Sequence, residues 1–251
     1  MTDNKKNLPI VFPIREDHFD PFNAKPTEKQ EEFLKLFPPP SLITIYASFR
    51  SGKSVLCNNI ILNDTFLRGL LDKWYVFSPT ALNDGACKYL IDDDGVEVIT
   101  DYSDDYLEAL LAYQLETPKS ERDSIGIIFD DAIQYLNKRN SVGNFLATRF
   151  RHYNIKYLIY VSQSFRSLDT KIRANSKQVI IMKVSNQKEL SKIEEEYDGF
   201  LGGNFKKLYD YCMNDQPFSF MVINIDSNPV KCYLRMEKQI YPTPEGQESV
   251  I

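Results

Sequence analysis

No run of this 251-residue sequence is long and apolar enough to cross a bilayer: the longest, residues 124–129 and 157–161, fall far short of the roughly 20 residues a membrane helix needs. Residues 1–17, MTDNKKNLPIVFPIRED, lack the unbroken apolar run of a secretory signal, so an untargeted, cytosolic-type protein with no membrane partner is expected. Cysteine is scarce. Cys57, Cys87, Cys212 and Cys232 lie far apart with no C-x-x-C pair, which argues against a zinc site or a disulfide framework and for buried thiols. Positive charge is not in excess: 30 Lys and Arg against 35 Asp and Glu leave a net charge of -5. That balance excludes a protein that coats nucleic acid over its whole surface, though it permits a narrow basic channel. Internal repeats and low-complexity tracts are also missing.

What is present belongs to a folded chain: 43% hydrophobic residues, with 16 Phe and 15 Tyr, is far too apolar and aromatic for disorder. Punctuation runs evenly through the middle, which favours one large core. Residues 1–40 read as a polar, proline-marked leader that packs on the domain or a partner, with a helix of a few turns at 29–37. From residue 42 apolar runs of strand length alternate with helical stretches, the pattern of an open, mostly parallel α/β sheet. Strands are expected at 42–46, 74–78, 125–129, 157–161 and 179–184, and helices at 53–63, 104–114, 140–150 and 188–197. Runs 218–225 and 230–236 flank an SNP turn and read as an antiparallel hairpin at a sheet edge. The organisation expected is a leader, one domain over 41–240 and a polar tail at 241–251.

The segment SLITIYASFRSGKSVL is a strand, a short loop and a helix start, and its loop reads AxxxxGKS. Backbone N–H groups of such a loop, Ala47, Ser48, Phe49, Arg50, Ser51, Gly52, Lys53, Ser54 and Val55, cradle phosphate oxygens, and the helix N-terminus adds positive potential. Lys53 would reach the β- and γ-phosphates of ATP, the Ser54 hydroxyl would ligate Mg²⁺, and Gly52 would let the backbone approach. Ala47 stands where such loops usually carry their first Gly. It is tolerated at negative φ, but a left-handed conformation there would cost roughly 1–2 kcal/mol.

SIGIIFDDA is an apolar strand that ends in two carboxylates. Asp130 would hold the magnesium hydration shell and Asp131 would orient and deprotonate the attacking water. Side chains alternate along a strand, so the two acids are expected to point apart and take separate roles. A third buried strand, KYLIYVSQS, ends at Gln163. If it lies between the other two, Gln163 sits beside the γ-phosphate, because ligands of open α/β sheets bind at strand C-terminal ends. Arg149, Arg151, His152, Lys156, Arg166, Lys171, Arg173 and Lys177 fall within thirty residues of one another. They suit an arginine finger, with Arg151 and Arg173 the candidates, or a groove for nucleic-acid backbone, or simply a solvated face balancing acidic stretches.

Together ASFRSGKSVL, IIFDDA, RFRHYNI and YVSQSFRSLDTKIRANSKQVIIMKV resemble the poxvirus-type genome-packaging ATPases of large double-stranded DNA viruses and virophages, within the FtsK/HerA translocase class. The resemblance covers roughly residues 42–184. It implies a P-loop sheet of RecA/ASCE type with the Gln163 strand between the other two. It also implies a homo-oligomeric ring, pentamer or hexamer, that pumps double-stranded DNA into a capsid. Capsid proteins would then be partners, and the location the host cytoplasm at the assembly site, or the virion. Residue by residue it implies Lys53 and Ser54 for the phosphate-binding pair, Asp130 for the magnesium residue, Asp131 for the catalytic acid and Gln163 for the sensor. Three other readings stay open on the residues: a nucleotide kinase, a nucleotide-binding scaffold or switch in capsid assembly, and a related helicase or plasmid-transfer motor.

Overall fold

Strands buried on both faces read as continuous apolar runs, and the chain has several. The computed structural model describes Phe22, residues 24–136 and residues 141–242. Most of the expected leader, the tail from residue 243 and Asn140, where a helix start is expected, lie outside the described residues.

The nine strands described are β1 (Ser41–Tyr46), β2 (Lys73–Phe77), β3 (Val96–Ile99), β4 (Ile125–Asp130), β5 (Ile155–Ser162), β6 (Gln178–Ile181), β7 (Met221–Asn224), β8 (Lys231–Leu234) and β9 (Lys238–Ile240). They form one sheet in the order β3-β2-β4-β5-β1-β6-β7-β8-β9. From β3 to β6 every pairing is parallel, and β7, β8 and β9 follow antiparallel. The expected antiparallel hairpin is present as β7 and β8, and β9 extends it by a third strand into a meander. β5 lies between β4 and β1, the order the resemblance implies.

The helices are α1 (Glu28–Leu36), α2 (Lys53–Leu62), α3 (Lys88–Ile91), α4 (Asp104–Glu116), α5 (Ile133–Leu136), α6 (Val142–Arg149), α7 (Thr170–Asn175), α8 (Gln187–Tyr197) and α9 (Phe205–Met213). Alternation along each strand divides the core in two. On one face Ile43, Ile45, Ile128 and Val161 meet residues of α1 and α2. On the other Leu42, Tyr46, Phe129 and Tyr160 meet residues of α4, α6, α7, α8 and α9. α1 begins with a capping box, Thr27 with Gln30, and is fastened to the domain where Gln30 donates to Arg68 O (2.9 Å). Tyr157 Oη, from β5, donates to Phe37 O (2.7 Å) just past the helix end.

One stack of rings fixes the strand ends that matter. Phe77, Phe129 and Tyr160 on β2, β4 and β5 stack at centroid distances of 5.0 and 5.1 Å, and Tyr160 Oη donates to Gly143 O (2.6 Å). Asp130 follows Phe129 directly. Its position in the sheet is set by this ladder and by pairing with Val161.

Candidate functional site

The parallel strands β1, β4 and β5 bring their C-terminal ends to one edge, where the chain turns into loop 47–52, Asp131 and Gln163. Tyr46 pairs with Ser162 and Asp130 with Val161, so the three ends are level.

The loop after β1 is held by hydrogen bonds to the end of β5 and to the segment just past β6, and by one serine side chain within it. Ala47 N donates to Ser162 O (3.0 Å), Ser48 N to Lys183 O (3.1 Å) and Ser51 Oγ to Ser48 O (2.7 Å), while Ser48 Oγ accepts from Ser185 N (2.8 Å). Phe49 and Arg50 form its exposed tip, with the Arg50 guanidinium 5.2 Å from the Phe49 ring centroid. Left-handed backbone occurs at Arg50 (φ 58°) and Gly52 (φ 92°), not at Ala47, so alanine costs the loop nothing at the first position. Gly52 is the N-cap of α2 and no side chain of the described residues caps that helix. The first-turn N–H groups, of Lys53, Ser54 and Val55, are left for a ligand.

Asp131 departs from the sequence expectation. Instead of pointing away from Asp130 it adopts φ 52°, a left-handed turn outside the strand. Both carboxylates then meet one amine: Lys53 Nζ lies 2.6 Å from Asp131 Oδ1 and 3.3 Å from Asp130 Oδ1. Alternation fails because β4 ends at Asp130 and the next residue no longer obeys the pleat. Gln163, exposed at the end of β5, donates from Nε2 to Asp131 Oδ1 (2.9 Å). Lys53, Asp130, Asp131 and Gln163 thus form one contiguous cluster.

Its electrostatics are those of charges drawn from water. Burial by itself would lower the Lys53 pKa, but Asp130 and Asp131 outweigh it and hold the amine above the ordinary lysine value. Burial pushes the Asp130 carboxyl above the ordinary aspartate value, Lys53 opposes this and Asp131 adds to it. The two ion pairs are close by distance yet lack hydrogen-bond geometry: Lys53 Nζ and Asp130 Oδ1 are both buried without a hydrogen bond. Such groups are costly unless a further partner arrives. An anionic phosphate beside the amine and a hard cation beside the carboxylate would supply both.

The residues fit a triphosphate and Mg²⁺ on that observation. Among the described residues no three His, Cys, Asp or Glu side chains form a metal cluster. A cation here would depend on the Ser54 hydroxyl, Asp130, phosphate oxygens and water, the oxygen donors Mg²⁺ takes. A cleft of about 560 Å³ opens over the loop and is large enough for a nucleotide. One wall, Thr80 to Ala86, follows β2 and is tied to α2 where Asn58 Nδ2 donates to Ala86 O. Phe218 lies against Gly52. Sequence reading missed both walls. Residues 80–86 carry no periodicity, and Phe218 falls in a turn that the apolar run 218–225 disguises as strand, which begins only at Met221.

The basic residues do not join this cluster. Arg151 and His152 are exposed in the turn before β5, at the end of the sheet opposite Gln163. The eight residues of β5 set a separation of about 26 Å. Arg173 is fastened inside its own subunit: Nε lies 3.8 Å from Glu196 Oε1, the guanidinium stacks 4.3 Å from the Phe165 centroid, and Nη1 donates to Phe165 O. Lys177 pairs with Asp226 (3.0 Å) and Lys156 is buried, so the basic run is not one open groove.

No protein-family model matches the sequence, and no curated protein matches it. Solved structures do. B204, the DNA-packaging ATPase from Sulfolobus turreted icosahedral virus, has a TM-score of 0.58 at 17% identity, covering 78% of this chain and 98% of that one. The genome packaging NTPase B204 from Sulfolobus turreted icosahedral virus 2, in complex with AMPPCP, gives 0.57 at 16% identity, over 78% and 97%. EssC (ATPases 2 and 3) from Geobacillus thermodenitrificans gives 0.54 at 13% identity, over 83% of this chain and 41% of that one. The likeness is one of fold: this chain has a mostly parallel, helix-flanked sheet like that of these structures, with an antiparallel meander at its C-terminal edge.

Proposed function

We propose that the chain is an ATPase subunit of a ring that drives double-stranded DNA into a capsid. The observation that carries this reading is the meeting of Lys53, Asp130, Asp131 and Gln163 at the C-terminal ends of three adjacent parallel strands, beside an uncapped helix N-terminus. A nucleotide kinase has no use for a glutamine-held carboxylate at that place. The structural likeness to genome-packaging NTPases supports the choice of cargo.

In this reading the first-turn N–H groups of α2 and Lys53 bind and orient the triphosphate of ATP. Ser54 and Asp130 would hold Mg²⁺, which when bound draws charge from the phosphates. Asp131 takes the proton of the attacking water, and Gln163, already bonded to Asp131, holds that carboxylate in place and senses the γ-phosphate. Lys53 must leave Asp131 as ATP enters, so binding itself frees the base. Arg151 lies too far from its own site to act there, and the proposal assigns it to a neighbour's γ-phosphate. Arg173, held by Glu196 and Phe165, fits that task poorly.

Phosphate release from ATP, with and without duplex DNA, tests this. A packaging motor is stimulated by DNA and loses about 100-fold or more of its turnover on Lys53→Ala. A kinase would instead label an acceptor, and a scaffold would do neither. Near-normal turnover of Lys53→Ala would refute the site.

A further inference from the structure

Phe218 is an aromatic ring in an unusual place. It sits in the connection between α9 and β7 and remains 69% exposed, so burial does not account for it. Its backbone is left-handed, φ 63°, a conformation that is a genuine outlier for a bulky residue and that concentrates at ligand sites. The ring also lies directly on the phosphate loop: a Cβ built on Gly52 would come 3.1 Å from Phe218 Cδ1. Phe218 therefore lines the cleft together with Gly52, Lys53 and Ser54.

Topology gives the ring a direction. The acidic cluster lies at the ends of β4 and β5, on one side of β1, whereas Phe218 precedes β7 on the other side. A nucleotide laid across the loop with its γ-phosphate at Asp131 therefore has its base toward β7. From β5 to β7 is three strand spacings, about 14 Å, comparable to the length of an extended nucleoside triphosphate. Among the described residues the other ring that lines the cleft, Phe49, stands at the loop tip with the Arg50 guanidinium over it, whereas Phe218 stands exposed on the β7 side.

We infer that Phe218 is the platform on which the nucleobase of the bound nucleotide stacks, a specificity residue whose preference is for a purine through ring area. The inference rests on the ATP-binding reading of the cleft. Stacking on one ring reads area rather than base-edge hydrogen bonds, so ATP and GTP would both bind and pyrimidine triphosphates would bind less well.

The test uses the full chain and two probes in the presence of Mg²⁺, ATP and inorganic tripolyphosphate, which has no base. The wild-type chain should bind both. Phe218→Ala should weaken ATP about tenfold or more while leaving tripolyphosphate unchanged, and Phe218→Tyr should restore ATP affinity. Unchanged ATP affinity in Phe218→Ala, or equal loss of ATP and tripolyphosphate, would overturn the platform alone. A wild-type chain that binds neither probe would overturn the cleft reading and the platform with it.

Discussion

Lys53 lies between two carboxylates, and its contact with Asp131 is the shorter, 2.6 Å against 3.3 Å. That pair is a resting arrangement on the proposed mechanism, because the same amine must face phosphate during turnover. Asp131→Asn should keep ATP binding at least as tight as wild type, by removing a competitor for Lys53. Hydrolysis should fall about 100-fold or more with loss of the base. Isothermal titration and single-turnover assays separate the two effects, and equal loss of both would mean that Asp131 serves only the fold. That these side chains meet is legible in the sequence, from the GKS turn and the paired acids after an apolar run. The posture of Asp131 is not, since a left-handed φ in a non-glycine residue leaves no mark on composition. The same holds for Phe218. For Ala47 the sequence raises a concern that the structure places elsewhere, at Arg50 and Gly52.

Among the elements, β1, β4 and β5 are readable because every one of their residues is buried and their sequences are mostly apolar, interrupted inside the strands only by Thr44 in β1, Gly126 in β4 and Lys156 in β5. β3 escapes notice: VEVI follows an acidic run and is only half-buried throughout, as befits an edge strand. α7 escapes because it is short; α9 is passed over although Phe205, Leu208, Tyr209 and Cys212 stand at the i, i+3, i+4, i+7 spacing of a helix face. β6 ends at Ile181, short of the expected residue 184, where the chain turns to meet Ser48. The aromatic ladder Phe77–Phe129–Tyr160 is an element-level device that joins stability to the site. Phe129→Ala should cost about 3–5 kcal/mol, read from denaturant melts. Because Asp130 adjoins the cavity, turnover at a temperature where the variant stays folded should fall as well. Full turnover there would show that the ladder does not position the acid.

For the whole molecule, the sheet order that brings Gln163 between the loop strand and the acid strand is implied by the family resemblance, not by periodicity, which orders no strands. The order makes three separate motifs one site and sends the surface that carries Arg151 to the opposite end of the sheet. On the proposed ring, this polarity would bring the Arg151 end of one subunit to the nucleotide of the next. Mixing tests this: Arg151→Ala subunits supply intact phosphate loops and Lys53→Ala subunits supply intact arginines. A mixture should show more DNA-stimulated phosphate release than either variant alone, whereas simple addition of the two activities would place Arg151 outside any shared site.

The central claim is that the Gly52–Lys53–Ser54 turn wraps a triphosphate whose metal is held by Asp130. A crystal structure of the assembled protein with AMPPCP and Mg²⁺ tests it most directly. The account predicts Lys53 Nζ on the γ-phosphate and released from Asp131, and the metal between Ser54 Oγ and the Asp130 side. Nucleotide bound elsewhere, with the Lys53–Asp131 pair still closed, would contradict it.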